Sequence, residues 1–110
     1  MNIKKNKFDL QQVEIDRLDN ILKNEKIKSV DILKIDTEGY DFHVIKSMGD
    51  LLKNVKFIYF EHHFHNMLKK GYNFKDVNSF LKSKNFRKVF KTKMFFRKTF
   101  EYIYKNVSMN

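Results

Sequence analysis

The spacing of apolar residues along this chain changes period several times, and each change marks an element. Gln11 to Ile15 reads as a short strand. Asp16 then suits a helix N-cap, with Leu18, Ile21 and Leu22 at i, i+3, i+4. Ser29 to Ile35 is the next predicted strand, and its Val30-Asp31-Ile32-Leu33 pattern suggests cover on both faces. After Gly39 a helix is expected, with Tyr40, Val44 and Met48 on one face and Ile45 alongside. Gly49 ends it as a C′ glycine, and Asp50 to Asn54 add one further turn. Lys56 to Glu61 is the clearest strand, because the consecutive Phe57, Ile58, Tyr59 and Phe60 imply burial on both sides.

Past His65 a second amphipathic helix carries Phe74, Val77, Phe80 and Leu81, closing near Asn85. Phe86 to Lys91 and Phe95 to Tyr104 then alternate, with Phe96, Phe100, Tyr102 and Tyr104 on one side. This predicts an antiparallel pair turning near Thr92-Lys93. Strand, helix and strand in succession make a βαβ unit. The pattern as a whole is an α/β fold with a parallel βαβ core that closes with an antiparallel hairpin. No repeat or linker divides it, so residues 1–110 read as one domain.

Composition changes the picture at few points. The longest apolar run is Phe57 to Phe60, far short of a bilayer span, and the basic start MNIKKNKFDL lacks the apolar core of a secretory signal. There is no cysteine, hence no disulfide framework, thiolate metal site or cysteine nucleophile. These features favour a cytoplasmic protein. The net charge of +10 invites a polyanion-binding reading, in which a basic interaction module engages nucleic acid or another acidic surface. Yet 20 Lys stand against 3 Arg, beside 11 Asn and 12 Phe, with no Ala and no Pro. That bias matches A/T-rich coding, and Arg, the residue suited to bidentate phosphate contacts, is scarce. The aromatic and basic tail KVFKTKMFFRKTFEYIYK could stack single-stranded nucleic acid. A half-buried edge hairpin gives the same pattern when Lys is the default polar residue, and that reading is preferred.

Two constellations carry candidate chemistry. Asp36-Thr37-Glu38-Gly39 follows a buried strand, where open α/β sheets bind ligands beyond their carboxyl ends. If the strand stays extended through Thr37, Asp36 and Glu38 share a side. Such a pair can deprotonate a hydroxyl or bind a cationic group; acids and a glycine at a helix start give the same pattern, and both readings stay open. Glu61-His62-His63, with His65 behind, ends the most buried strand and lies beside Asp36 in a parallel sheet. Glu61 and His63 take one side and His62 the other. A histidine there suits a general base. The cluster offers N and O donors, but without HExxH-type spacing no metal site is assigned. His43 reads as a helix-face residue, and His65 as a surface histidine.

Residues 13 to 93 resemble the FkbM-type S-adenosylmethionine-dependent methyltransferases. The resemblance runs through VEIDRLDNIL, LKIDTEGYDFHVIK and FIYFEHH. It implies a Rossmann-like sheet and transfer of a methyl group to a hydroxyl of a sugar or other small molecule. It further implies Asp36, Glu38, Glu61 and His63 as catalytic residues, and Asp36 with Gly39 as cofactor-binding ones. The family's Gly-rich loop after its first strand has no counterpart, since the glycines are Gly39, Gly49 and Gly71. The chain is therefore expected to be the C-terminal portion of such a domain. Alone it should be inactive, bind the cofactor poorly, and turn to a complementing N-terminal half or to self-association through its open strand edge. A non-functional remnant is the remaining alternative.

Overall fold

A computed structural model describes residues 2–5, 10–13, 17–37, 40–63, 71–93 and 99–109. Strands β1 (Asn2–Lys5) and β2 (Leu10–Val13) form an antiparallel pair. Helix α1 (Leu18–Asn24) follows, then strand β3 (Val30–Ile35), helix α2 (Asp41–Lys46), a 3-10 turn (Gly49–Asn54) and strand β4 (Val55–His63). Helix α3 (Phe74–Ser83) leads to strands β5 (Phe86–Lys93) and β6 (Thr99–Asn106). The expected βαβ unit and antiparallel closing pair are both present, but Thr92 and Lys93, expected at the turn, belong to β5, paired with Glu101 and Phe100, and Phe95 and Phe96 lie outside the described residues. β2 overlaps the strand expected from Gln11 to Ile15, whose last two residues lie outside the described residues together with the expected N-cap Asp16; its partner β1 was not expected, as the basic start offers no clear alternation.

The larger sheet has the order β3-β4-β6-β5. β3 and β4 run parallel, with Ile35 opposite Phe60, while β6 is antiparallel to both β4 and β5. β5 is consequently parallel to β4, and β6 slots between them. The chain leaves β4 through α3, passes over the place β6 will take, and returns from β5 to fill the gap.

Both α2 and α3 pack on one face of this sheet. Ile35 of β3, Ile58 and Phe60 of β4, and Tyr102 and Tyr104 of β6 meet Phe42, Ile45, Val77 and Leu81 there, all buried. Phe42 and Phe80 join the helices edge to face, with centroids 5.5 Å apart. α3 starts with a capping box in which the Asn73 side chain accepts from the Asp76 N–H at 3.0 Å and Asp76 answers at 2.9 Å. The other end of the sheet is closed by Asn106, whose buried amide donates to the carbonyls of Lys53 and Val55.

Four expectations need correction. β3 is not covered on both faces: Ile32 is 62% exposed, because the helices occupy one side only. In β4, likewise, Phe57 and Tyr59 stay half-buried while Ile58 and Phe60 are fully covered. The buried stripe of α2 is Asp41, Phe42 and Ile45, continued by Met48, whereas Tyr40 points to solvent at 65% exposure. α2 also stops at Lys46, and Gly49, with φ +53°, opens the 3-10 turn. A Cβ on Gly49 would sit 2.8 Å from the Asp19 carboxylate. That carboxylate is held below the usual range by its hydrogen bond to Arg17.

Three phenols are packed into this framework. Burial pushes the Tyr102 hydroxyl up to about 12 and moves Tyr72 and Tyr104 well above the ordinary phenol range. In the unfolded chain these hydroxyls ionise near 10, so above that pH the unfolded state releases protons that the folded state retains. Stability should hold up to about pH 10 and decline above it. Urea midpoints measured between pH 8 and 12 check this; a midpoint that stays level to pH 12 would contradict it.

Candidate active site at the carboxyl edge of the sheet

The register of β3 and β4 decides what meets at their ends. Past the last pair, Ile35–Phe60, the chain continues to Asp36 on one side and Glu61 on the other, and both charges reach the Tyr59 hydroxyl. Glu61 in turn lies directly opposite Glu101 of β6. Two carboxylates therefore face each other across β4 and β6, and Asp36 follows directly after the end of β3. Like charges directly across a ladder are destabilising, so stability alone gives no reason for the pair.

The alternation that buries Phe60 and His62 under the helices turns Tyr59, Glu61 and Glu101 to the opposite, open face. Tyr59 collects the field of the acids. Its hydroxyl rises above the ordinary phenol value, chiefly through a hydrogen bond to Glu101, then through burial and the charges of Glu101, Glu61 and Asp36. Lys34, the neighbour of Tyr59 on β3, places its Nζ 5.3 Å from the ring centroid. Asp36 is exposed at the strand end, and Glu61 is half-buried.

His62 takes the other side, as strand alternation requires, and enters a buried polar group. Its Nδ1 is 3.5 Å from Asp41 Oδ2, and both residues are 1% exposed. The Tyr72 hydroxyl donates to Asp41 Oδ1 and accepts the Phe42 backbone N–H at 3.4 Å. Tyr72 is raised by its burial, and further by the Asp41 carboxylate that its neutral hydroxyl serves. Aromatic rings enclose the group: His62 meets Phe74 at 5.5 Å, and Phe42 meets Tyr72 at 5.2 Å.

Of the residues singled out from the sequence, Asp36 and Glu61 both act on the Tyr59 hydroxyl. His63 is the last residue of β4, with its Cα paired to Thr99. Glu38, Gly39 and His65 lie outside the described residues. His43 is exposed on α2, as expected, its ring tilted against Tyr40 with centroids 4.9 Å apart. Among the described residues, no group of three His, Asp or Glu side chains gathers closely enough to hold a metal ion.

Sequence reasoning missed Tyr59, Glu101, Asp41 and Tyr72. A signal existed for Asp41: it falls four residues before Ile45 and seven before Met48, so an acid lies on the apolar stripe of its helix. Nothing local marks Glu101 or Tyr72, which reach the site from distant strands and loops.

Parallel strands joined by a helix, with acids beyond their carboxyl ends, define an α/β protein of the kind that binds ligands at that edge. A family model described as the Methyltransferase FkbM domain matches residues 3–88, a span that includes Asp36, Asp41, Glu61 and Tyr72. The chain belongs to the FkbM methyltransferase family. No curated protein and no solved structure matches the chain. Among the described residues, no helix is long and apolar enough to cross a membrane.

The arrangement makes Tyr59 a reporter of the edge. Glu101→Gln should bring the Tyr59 hydroxyl back toward its ordinary value, Glu61→Gln should lower it less, and Asp36→Asn least. Titrating Tyr59 by NMR in each variant tests the order. Equal values in all three would show that the acids do not converge on this ring.

Proposed function

We propose that the chain is a Rossmann-like, S-adenosylmethionine-dependent methyltransferase portion that acts on a hydroxyl of a sugar or similar small molecule. The observation that carries this reading is the parallel register that ends at Ile35–Phe60, with Asp36 and Glu61 next in the chain, within the family-matched span. The donor set suits the cofactor: carboxylates gathered at one edge favour a cationic sulfonium and accept hydrogen bonds from ribose hydroxyls. When bound, S-adenosylmethionine supplies a methyl group made electrophilic by its positive sulfur. Asp36 and Gly39 are the residues assigned to hold it.

The remaining work falls to the acceptor side. A plain hydroxyl is a poor nucleophile until its proton is drawn away, and Glu61 or His63 is assigned that task as general base. Asp36 and Glu38 would orient the acceptor hydroxyl toward a bound donor, and positioning of this kind removes much of the barrier. Glu101, directly opposite Glu61 on the neighbouring strand, adds a second carboxylate to the same edge.

Release of S-adenosylhomocysteine across a panel of sugar and small-molecule hydroxyls, with a complementing N-terminal half of the domain supplied, tests the reading. With an accepted substrate, Glu61→Gln should cut kcat by about 100-fold or more, as for loss of a general base. Asp36→Asn should raise the KM for S-adenosylmethionine about 10-fold, the worth of one hydrogen bond to a charged group. Turnover that both variants leave intact would reject this assignment.

A further inference from the structure

Asp41 and His62, each 1% exposed, and the half-buried Tyr72 that bonds Asp41 take no part in the chemistry assigned above. A carboxylate removed from water is expensive, and an apolar trio of similar volume would usually hold the same segments together at lower cost. What the polar trio offers instead is a fixed arrangement of three parts of the chain. Asp41 opens α2, His62 lies near the end of β4, and Tyr72 precedes α3.

α2 needs such an anchor. It has six residues, too few to persist unaided, and its N-cap residue Tyr40 makes no side-chain cap. The Tyr72 hydroxyl supplies what is missing, accepting the Phe42 N–H from 30 residues away while it donates to Asp41. Just upstream, the Tyr40 N–H donates to the Thr37 carbonyl at 2.7 Å, so the anchor is tied directly to the segment that carries Asp36.

We propose that Asp41, His62 and Tyr72 are positioning residues, a buried clamp that fixes the start of α2 against β4 and thereby sets Asp36 relative to Glu61. The clamp matters for catalysis only if that edge is the reactive one, so this role rests on the methyl-transfer reading. Its structural content can be tested without any cofactor.

Tyr72→Phe removes the hydroxyl and keeps the ring. By NMR hydrogen exchange, the Tyr40 amide, which bonds Thr37 and not Tyr72, should exchange at least about 10-fold faster, whereas Ile58 and Tyr104 in the central strands keep their protection. Tyr59, on the far face of the sheet, gives a second readout that packing loss beside Tyr72 would not move. Its titration should shift in the same direction as in Asp36→Asn, and combining the two substitutions should add little. Unchanged protection at Tyr40, or loss spread equally to Ile58 and Tyr104, would overturn the proposal. Should Tyr72→Phe fail to fold, the unsubstituted chain still decides. The Tyr72 hydroxyl proton should give a slowly exchanging resonance with a nuclear Overhauser contact to the Phe42 amide, and its absence would overturn the clamp. Failure of methyl transfer with these signatures intact would count against the function, not the clamp.

Discussion

The parallel pairing of β3 with β4 is the constraint on which the rest depends. Side chains alternate with a period of two, so a slip of one residue would turn Ile35 outward and carry the core residues of β3 to the solvent face. Ile35 opposite Phe60 prevents that slip, since both are buried against α2 and α3. Past the same register come Asp36 and Glu61, whose charges both reach the Tyr59 hydroxyl. Packing on one side of the sheet therefore determines which carboxylates lie at its edge.

The sheet divides its labour between its faces. Under the helices, Phe60, Tyr102 and Tyr104 stack with centroids 5.6 and 5.7 Å apart, forming the aromatic centre of the core. The open face carries the charged and half-buried residues: Lys34, Tyr59, Glu61 and Glu101. Ile32 at 62% and Phe90 at 48% exposure add apolar surface to that side. Tyr59 links the acids electrically and Tyr72 links the helix starts mechanically, one on each side of the same strand ends. A family of methyltransferases has in this chain an edge built from acids and phenols.

Much of this was legible in the sequence where the signal is local. The run Phe57 to Phe60 marked β4, the spacing of Phe74, Val77 and Leu81 marked α3, and alternation from Phe100 to Tyr104 marked β6. Asp36 and Glu61 were found because strand ends in parallel sheets have a known neighbour. The errors have one physical origin. An apolar run says how much is buried but not by what, so Ile32 and Tyr59 were assigned cover that a sheet with helices on one face does not provide. The insertion of β6 between β4 and β5, and the meeting of Asp41 with Tyr72 across 31 residues, are long-range choices that no local period records. Likewise the apolar stripe of α2 includes Val44, Ile45 and Met48 but begins at Asp41, one residue later than Tyr40.

The central claim is that the carboxyl edge of β3 and β4 is where the methyl donor meets this chain. The most direct measurement is an NMR titration of the isotopically labelled chain with S-adenosylmethionine at millimolar concentration, which registers weak as well as tight binding. Amide shifts should concentrate at Asp36, Thr37, Tyr40 and Glu61, and Asp36→Asn should diminish them. Shifts that centre elsewhere, such as on the 3-10 turn around Asp50 and Lys53, or no shifts at all, would contradict the account.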